Sequence, residues 1–141
     1  PLTLGCLVGA GVYGLYKGLW SPVFLTIALI LVAEFNIREK RLAFAFTLSV
    51  FAGIFQPSTA LIILVTSSIW TMWEFGVMGG ADVKLLIALI LVTGDPSILI
   101  PVFTVGGIQG AFASLRKKRE IPFVVSIFCG SLMFILYPLI L

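Results

Sequence analysis

The chain has 141 residues, of which 60% are hydrophobic and 11% are charged, and its formal net charge is +3. An average soluble domain is about half apolar and about one-quarter charged. This composition therefore excludes a soluble globular domain, a disordered chain and a free-standing nucleic-acid-binding protein. A mean hydropathy of +1.20 indicates a polytopic membrane protein. Because the sequence has no histidine, imidazole catalysis and histidine-bound metals are also excluded, and no metal or cofactor is expected.

Charges, glycines and prolines divide the sequence into seven apolar segments, each of which predicts a helix. The predicted helices cover 2–16, 21–35, 42–56, 58–73, 82–94, 97–115 and 121–140. Most of them are shorter than the about 20 residues that span a typical hydrocarbon core. The sequence therefore predicts an all-α polytopic membrane protein with about seven transmembrane helices, folded as a single helical domain over 1–141.

The basic residues are distributed unequally between the two ends of these helices. With alternating loops, one face receives eight basic residues and the other receives only Lys17. The eight are Arg38, Lys40, Arg41, Lys84, Arg116, Lys117, Lys118 and Arg119. Loops rich in lysine and arginine stay on the cytoplasmic side and attract anionic lipid headgroups. The N-terminus is therefore predicted to be cytoplasmic, and the lipid bilayer, not nucleic acid, is the expected partner of the basic loops.

The cysteine and tryptophan residues are predicted to have structural roles. Cys6 and Cys129 lie far apart in apolar runs, so they are predicted to be buried, inert thiols rather than a disulfide or a metal pair. Trp20, Trp70 and Trp73 are interpreted as anchors at the membrane interface.

One polar group of residues interrupts the apolar sequence, at 79–84, where the chain reads Gly-Gly-Ala-Asp-Val-Lys. A charge deep in a bilayer costs roughly 2.5–3.5 kcal/mol, so Asp82 and Lys84 require an explanation. Gly79, Gly80 and Ala81 lack bulky side chains, which lets another backbone or an extended peptide approach closely. Two interpretations remain open: Asp82 is a helix N-cap with Lys84 as an interfacial anchor, or both residues belong to a functional site.

The segment from Gly79 to Leu86 resembles the second active-site motif of the type IV prepilin peptidases and preflagellin peptidases. These are membrane aspartic peptidases with a Gly-x-Gly-Asp signature, usually followed by Val-Lys-Leu. Two further stretches match in order: 119–123 resembles the family's Ile-Pro-Phe segment, and Pro1–Leu4 resembles the stretch after its first active-site motif. Ala81 stands where the signature has its second glycine.

The resemblance implies a function and a set of site residues. Asp82 would be one catalytic carboxylate, and Gly79, Gly80, Ala81 and Lys84 would form the motif that binds substrate. The substrate would be a pilin-type precursor, cut at the cytoplasmic face of a prokaryotic cell membrane. An oligomer or a larger membrane complex remains open.

The first catalytic aspartate of the family has no counterpart before Asp82, because Asp82 and Asp95 are the only aspartates in the sequence. The preferred explanation is that the family's first motif and helix lie upstream of Pro1. The alternative uses the segment 34–42, where Asn36 takes the place of the aspartate and Glu34 or Glu39 supplies the second carboxylate.

Aspartic peptidases need two carboxylates that share one proton, since one activates water while its protonated partner donates to the carbonyl oxygen. Asp82 alone supplies only one of the two carboxylates. Asn36 cannot act as the base, because its amide side chain has no titratable carboxylate. The second hypothesis is therefore a catalytically inactive homologue that serves as a structural subunit of a membrane complex. Asp95 is interpreted as a turn residue. Glu74, near Asp82, is interpreted as a solvated carboxylate at the membrane interface, with a role in orienting substrate as the alternative.

Overall fold

The structure, a computed structural model, describes residues 2–34, 40–116 and 123–140, and within these ranges it contains helices and turns but no strand. The α-helices are α1 (Leu2–Tyr16), α2 (Trp20–Glu34), α3 (Arg41–Phe55), α4 (Ala60–Glu74), α5 (Gly80–Thr93), α6 (Leu99–Leu115) and α7 (Phe123–Ile140). Short 3-10 turns at Pro57–Thr59 and Pro96–Ile98 precede α4 and α6. The all-α prediction is confirmed for the described residues.

The seven predicted helices agree with the observed ones to within two residues at each end that the structure describes. Glycine in the left-handed region ends three of the described helices, α1, α4 and α5. The Gly18 N–H donates to the Leu15 carbonyl and the Leu19 N–H to the Gly14 carbonyl, which closes α1. Gly94, at φ +67°, closes α5 through its N–H bond to the Ile90 carbonyl. A residue with a Cβ adopts this conformation at a cost, so glycine is the usual choice there.

The chain divides into two compact units, Pro1–Pro96 and Ser97–Leu141. The first unit contains α1 to α5, and part of its core lies where α2, α3 and α4 meet. The buried residues of that core are Leu25, Leu29, Ala45, Ile63 and Trp70. Trp70 is only 4% exposed, so its interpretation as an interfacial anchor is wrong. It packs instead edge-to-face against Trp73, with ring centroids 4.7 Å apart.

In the same unit, α1 packs mainly against α5. Gly14 allows the close approach, because a Cβ there would lie 3.0 Å from Val23 Cγ2 and 3.8 Å from Leu91 Cβ. Just beyond the end of α1, Lys17 Nζ donates to the Val92 carbonyl at 3.2 Å. A cation at the carbonyl end of a helix is favoured by the helix dipole. The Lys17 side chain therefore ties the turn after α1 to the last turn of α5.

Polar side chains join other helices of this unit. Gln56, which follows α3, donates from Nε2 to the Gly18 carbonyl at 2.9 Å and accepts at Oε1 from the Ser21 N–H at 3.2 Å. The Ser21 hydroxyl donates to the Ala52 carbonyl at 2.6 Å. The Ser21 N–H, in the first turn of α2, has no partner within the helix, and Gln56 Oε1 supplies one. The start of α2 is thus held to the end of α3.

The second unit is a pair of helices, α6 and α7. The helices approach most closely at Gly130, where a Cβ would lie only 2.6 Å from the Val102 backbone nitrogen. One turn before Gly130 along α7, the Ser126 hydroxyl donates to Gln109 Oε1 across the pair. Small residues and hydrogen-bonded polar side chains are typical of helix pairs in an apolar solvent.

Among the residues that the structure describes, two helical segments are long and apolar enough to cross a membrane by length and composition, Pro96–Ala113 and Phe123–Ile140. The helices Leu2–Tyr16 and Arg41–Phe55 are apolar but shorter. Cys6 is exposed on α1, so the prediction that it is buried is wrong. Cys129 is partly buried and also free.

Two glycine substitutions test the α6–α7 contact. We expect Gly130→Ala to lower the free energy of unfolding by about 1–3 kcal/mol, because its Cβ would meet the Val102 backbone. Gly107→Ala is the matched control, since nothing lies within 4 Å of a Cβ there. Alanine favours a helix interior over glycine by about 1 kcal/mol, so the control should be neutral or stabilising. Thermal unfolding of the purified variants, followed by circular dichroism, gives the comparison; equal losses would contradict this packing.

Candidate functional site

The candidate site begins where α4 ends. Glu74 is the last residue of α4, and the Gly76 N–H donates to the Trp73 carbonyl at 2.9 Å. The Val77 N–H donates to the Met72 carbonyl at 2.9 Å, and Gly76 has φ +73°. This pair of bonds, with glycine in the left-handed region, is a Schellman motif and ends the helix sharply. The chain is thereby turned into the short segment that leads to the Gly-Gly-Ala-Asp sequence.

Helix α5 begins at Gly80, and Gly79 is its N-cap with extended backbone at φ −70° and ψ 146°. Asp82 is therefore the third residue of the helix, so the interpretation of Asp82 itself as the N-cap is wrong. The side chain folds back toward the cap, since its Oδ2 lies 3.3 Å from the position of a Cβ at Gly79. A carboxylate in a first turn is stabilised by the positive end of the helix dipole. The prediction that Asp82 lies at a helix start is confirmed.

The two glycines and Ala81 leave space around the start of α5. The indole of Trp73 lies over Gly80, where a Cβ would be 3.2 Å from Trp73 Nε1. A larger residue at this position would push the indole away from the helix. Ala81 is exposed and Asp82 is half-buried. The small residues therefore have two local uses: Gly80 receives an indole, and Gly79 leaves room for the Asp82 carboxylate.

Lys84 lines a cavity of about 240 Å³ inside the first unit. Helices α1, α2, α4 and α5 surround the cavity, and Gly80 and Val83 line it from the same side of α5 as Lys84. Asp82 does not line it, because two residues separate the positions of Asp82 and Lys84 by roughly 200° around a helix with 3.6 residues per turn. The structure thus brings Asp82 and Lys84 to the same end of α5 but directs them to different sides.

Two other acidic residues, Glu34 and Glu74, lie at the ends of helices. Glu34 is the last residue of α2, but its side chain and the whole of Glu39 and Asn36 lie outside the described residues. Glu74 is partly buried, and its Oε1 is buried without a hydrogen-bond partner among the residues that the structure describes, so the interpretation of Glu74 as a solvated carboxylate is wrong. Within the same residues, no hydrogen bond or ion pair joins Asp82 to another side chain. The described residues therefore supply one carboxylate of the expected pair, and Glu34 and Glu39 stay predictions.

Asp95 is exposed and lies just after the end of α5, where its N–H bonds to the Thr93 hydroxyl at 3.5 Å. This agrees with its interpretation as a turn residue. Asp82 and Asp95 are 13 positions apart at opposite ends of one helix, which corresponds to about 20 Å at 1.5 Å per residue. The two aspartates of the sequence therefore cannot share a proton.

No group of three cysteine, aspartate or glutamate side chains able to hold a metal occurs within residues 2–34, 40–116 and 123–140. Chemically, the arrangement offers one carboxylate in the first turn of α5, beside backbone that lacks bulky side chains. Such a carboxylate can hold or accept a proton when a peptide approaches along Gly79–Ala81.

Comparison of the chain with models of protein families, with curated proteins and with solved structures gave no match. The resemblance of 79–86 to the prepilin peptidase motif therefore rests on the residues themselves.

Two substitutions separate the roles of the glycines around this turn. Gly76→Ala should lower the free energy of unfolding by about 1–2 kcal/mol, because alanine at a positive φ is strained even though space is open around it. Gly79→Ala keeps an allowed backbone and should change stability by less than about 0.5 kcal/mol. It should instead displace the Asp82 carboxylate, whose Oδ2 lies 3.3 Å from the new methyl group.

Chemical denaturation of the two variants and the unchanged protein measures both effects. A loss for Gly79→Ala as large as that for Gly76→Ala would contradict the backbone conformations described for this turn.

Proposed function

We propose that the chain is a polytopic protein of a prokaryotic cell membrane whose N-terminus and segments 36–41, 79–84 and 116–120 face the cytoplasm. The proposal is supported by a mean hydropathy of +1.20 and by apolar side chains on the outside of the helices. Phe46 is 73% exposed and Leu132 is 41% exposed, although both lie within helices. Large exposed apolar surfaces suit a lipid solvent better than water. The orientation follows from the concentration of basic residues on one side.

Single cysteines introduced into a variant without Cys6 and Cys129 test this topology. We expect Val77→Cys and Leu115→Cys to react with a membrane-impermeant maleimide in inside-out vesicles, and Ser58→Cys to react in right-side-out vesicles. All three parent residues are exposed and uncharged, so the substitutions leave the positive charges in place. Labelling of Val77→Cys and Leu115→Cys from opposite sides would overturn the seven-helix topology.

We further propose that the protein is a membrane aspartic endopeptidase of the prepilin peptidase type, which cuts leader peptides from pilin-like precursors at the cytoplasmic face. The observation that carries the proposal is the Gly-Gly-Ala-Asp-Val-Lys sequence at the start of α5. Asp82 lies in the first helical turn there, and Gly79 and Ala81 are exposed beside it, where an extended peptide can approach.

Peptide hydrolysis at this site proceeds through a carboxylate pair. The ionised member takes a proton from water as it attacks the scissile carbonyl carbon, and the protonated member donates to the carbonyl oxygen. Asp82 is proposed as one member. Asp95 is too far away to be the other, so the partner is a carboxylate upstream of Pro1 or, as the alternative, Glu34 or Glu39. Bound lipid and a pilin-type precursor are the expected partners, without a cofactor.

A second candidate is an inactive homologue that acts as a structural subunit of a membrane complex. The distance of about 20 Å along α5 between the two aspartates favours it, because the sequence then supplies no aspartate pair. This candidate predicts that loss of the Asp82 carboxylate changes neither assembly nor any peptidase activity.

The substitution Asp82→Asn separates the two candidates. It keeps the size and hydrogen-bonding capacity of the side chain but removes its titratable group, so we expect cleavage of a pilin-type precursor to fall below detection while membrane insertion is retained. Asp95→Asn is the matched control, because it makes the same chemical change at the other end of α5 and should leave cleavage intact. The assay uses the full gene product in liposomes with a purified precursor.

Each outcome of this assay favours one candidate. Equal cleavage by the unchanged protein and Asp82→Asn would exclude Asp82 as a catalytic residue. No cleavage by either protein, with normal folding, would favour the structural subunit. Cleavage by residues 1–141 alone would move the second carboxylate to Glu34 or Glu39.

A further inference from the structure

The cavity beside Lys84 has the size and lining of a ligand site. Its volume of about 240 Å³ exceeds the roughly 150 Å³ of a cavity that holds benzene. Leucine, isoleucine, valine and alanine side chains make up most of its lining. Such a space accepts an apolar group larger than one aromatic ring.

The polar groups around the cavity define the charge of a suitable ligand. Lys84 lines the cavity and makes no hydrogen bond or ion pair with the described residues. Trp70 also lines it, is 4% exposed, and its Nε1 has no partner within the described part of the chain. An ammonium group and an indole N–H are donors only. The Thr26 hydroxyl, a third polar group, already donates to the Pro22 carbonyl at 2.8 Å. The complementary ligand group is therefore an anionic acceptor.

A second, apolar cavity of about 320 Å³ lies between α1, α2 and α5. It shares four lining residues with the first cavity, namely Leu4, Leu7, Thr26 and Ile30. The second cavity has almost no polar lining, and Gly11 leaves it open on the α1 side. The two cavities are therefore adjacent. Lys84 lines the first cavity, and the lining of the second is almost wholly apolar. This sequence of environments matches a molecule with an anionic head and an alkyl tail.

We propose that the first unit binds a single-chain alkyl carboxylate, with its carboxylate at Lys84 and its chain between α1 and α2. A carboxylate at Lys84 forms a charge-assisted hydrogen bond in surroundings that are largely apolar, where such bonds are strong. The alkyl chain removes its own surface and that of Leu4, Leu7 and Ile30 from solvent. The site lies on the side of α5 away from the Asp82 carboxylate, although Gly80 and Lys84 also belong to the motif to which the resemblance assigns substrate binding.

Quenching of tryptophan fluorescence by 8-bromooctanoate tests the proposal, since bromine quenches an indole that it contacts. The protein carries Trp20→Phe, which leaves Trp70 and Trp73, and both line the cavity. It is purified in a non-ionic detergent. We expect saturable quenching by 8-bromooctanoate at concentrations about tenfold lower than by 8-bromo-1-octanol, which has the same chain but no charge.

Two pairs of variants locate the head and the tail. Lys84→Met should weaken binding of the carboxylate about tenfold and leave the alcohol unchanged, whereas Lys40→Met removes an exposed charge elsewhere and should change neither. Gly11→Leu should fill the tail cavity, because a Cβ there meets only Val23 Cγ1 at 3.9 Å. Gly9→Leu, with nothing within 4 Å, is its control. In competition with 8-bromooctanoate, dodecanoate should bind the unchanged protein more tightly than octanoate does. We expect Gly11→Leu, but not Gly9→Leu, to abolish this difference.

The comparison of carboxylate and alcohol needs no substitution at Lys84, so it tests the proposal even if Lys84→Met fails to fold. Equal quenching by the two probes, or binding unaffected in folded Lys84→Met, would overturn the proposal. A third result would also overturn the proposal: brominated phosphatidylglycerol in vesicles quenches in a Lys84-dependent way, while 8-bromooctanoate has no saturable effect. The occupant would then be a phospholipid.

Discussion

The packing of this protein depends on the positions at which two helices can come close, because most of its helices are apolar on all sides. Helices such as α2 and α6 have no polar face, so burial of an apolar stripe cannot select one orientation over another. Close approach at glycine makes the selection instead. Gly14 fits against Val23 and Leu91, and Gly130 fits against the backbone of Val102. At each of these contacts a side chain would meet the neighbouring helix, so glycine marks a position of close approach.

A small number of polar bonds adds direction to this packing. Ser49 and Ser67 share a hydrogen bond of 2.6 Å between α3 and α4, and Gln56 joins the end of α3 to the start of α2. Other hydroxyls within helices bond to a carbonyl four residues earlier in their own helix, as Thr47 and Thr104 do. Those hydrogen bonds stay within one helix, so they do not determine which neighbouring helix it packs against. Specific contact between helices is therefore concentrated at the few side chains that reach another helix.

The helix boundaries could be predicted from the sequence because glycine, proline and charge mark them so clearly. Gly18, Gly76 and Gly94 all have positive φ at helix ends. The burial of Trp70 could not be predicted in the same way, because α4 carries apolar residues on its exposed side as well as on its buried side. The sequence therefore does not indicate which side of α4 faces the core. The separation of Asp82 from Lys84 follows from helical spacing, but the cavity beside Lys84 does not, because it is formed by residues of four helices. Within the described residues, no hydrogen bond joins Asp82 to a second carboxylate.

In the proposed membrane location, the length of the first four helices has a consequence for the surrounding lipid. Each has 15 residues, or about 22 Å at 1.5 Å per residue, against about 30 Å for a typical hydrocarbon core. In a bilayer this mismatch of about 8 Å compresses the neighbouring acyl chains, at a fraction of a kcal/mol for each ångström. Short-chain lipids relieve the compression and long-chain lipids increase it. For a protein in that location, membrane thickness is a thermodynamic variable, and the first unit is most stable in a thin bilayer.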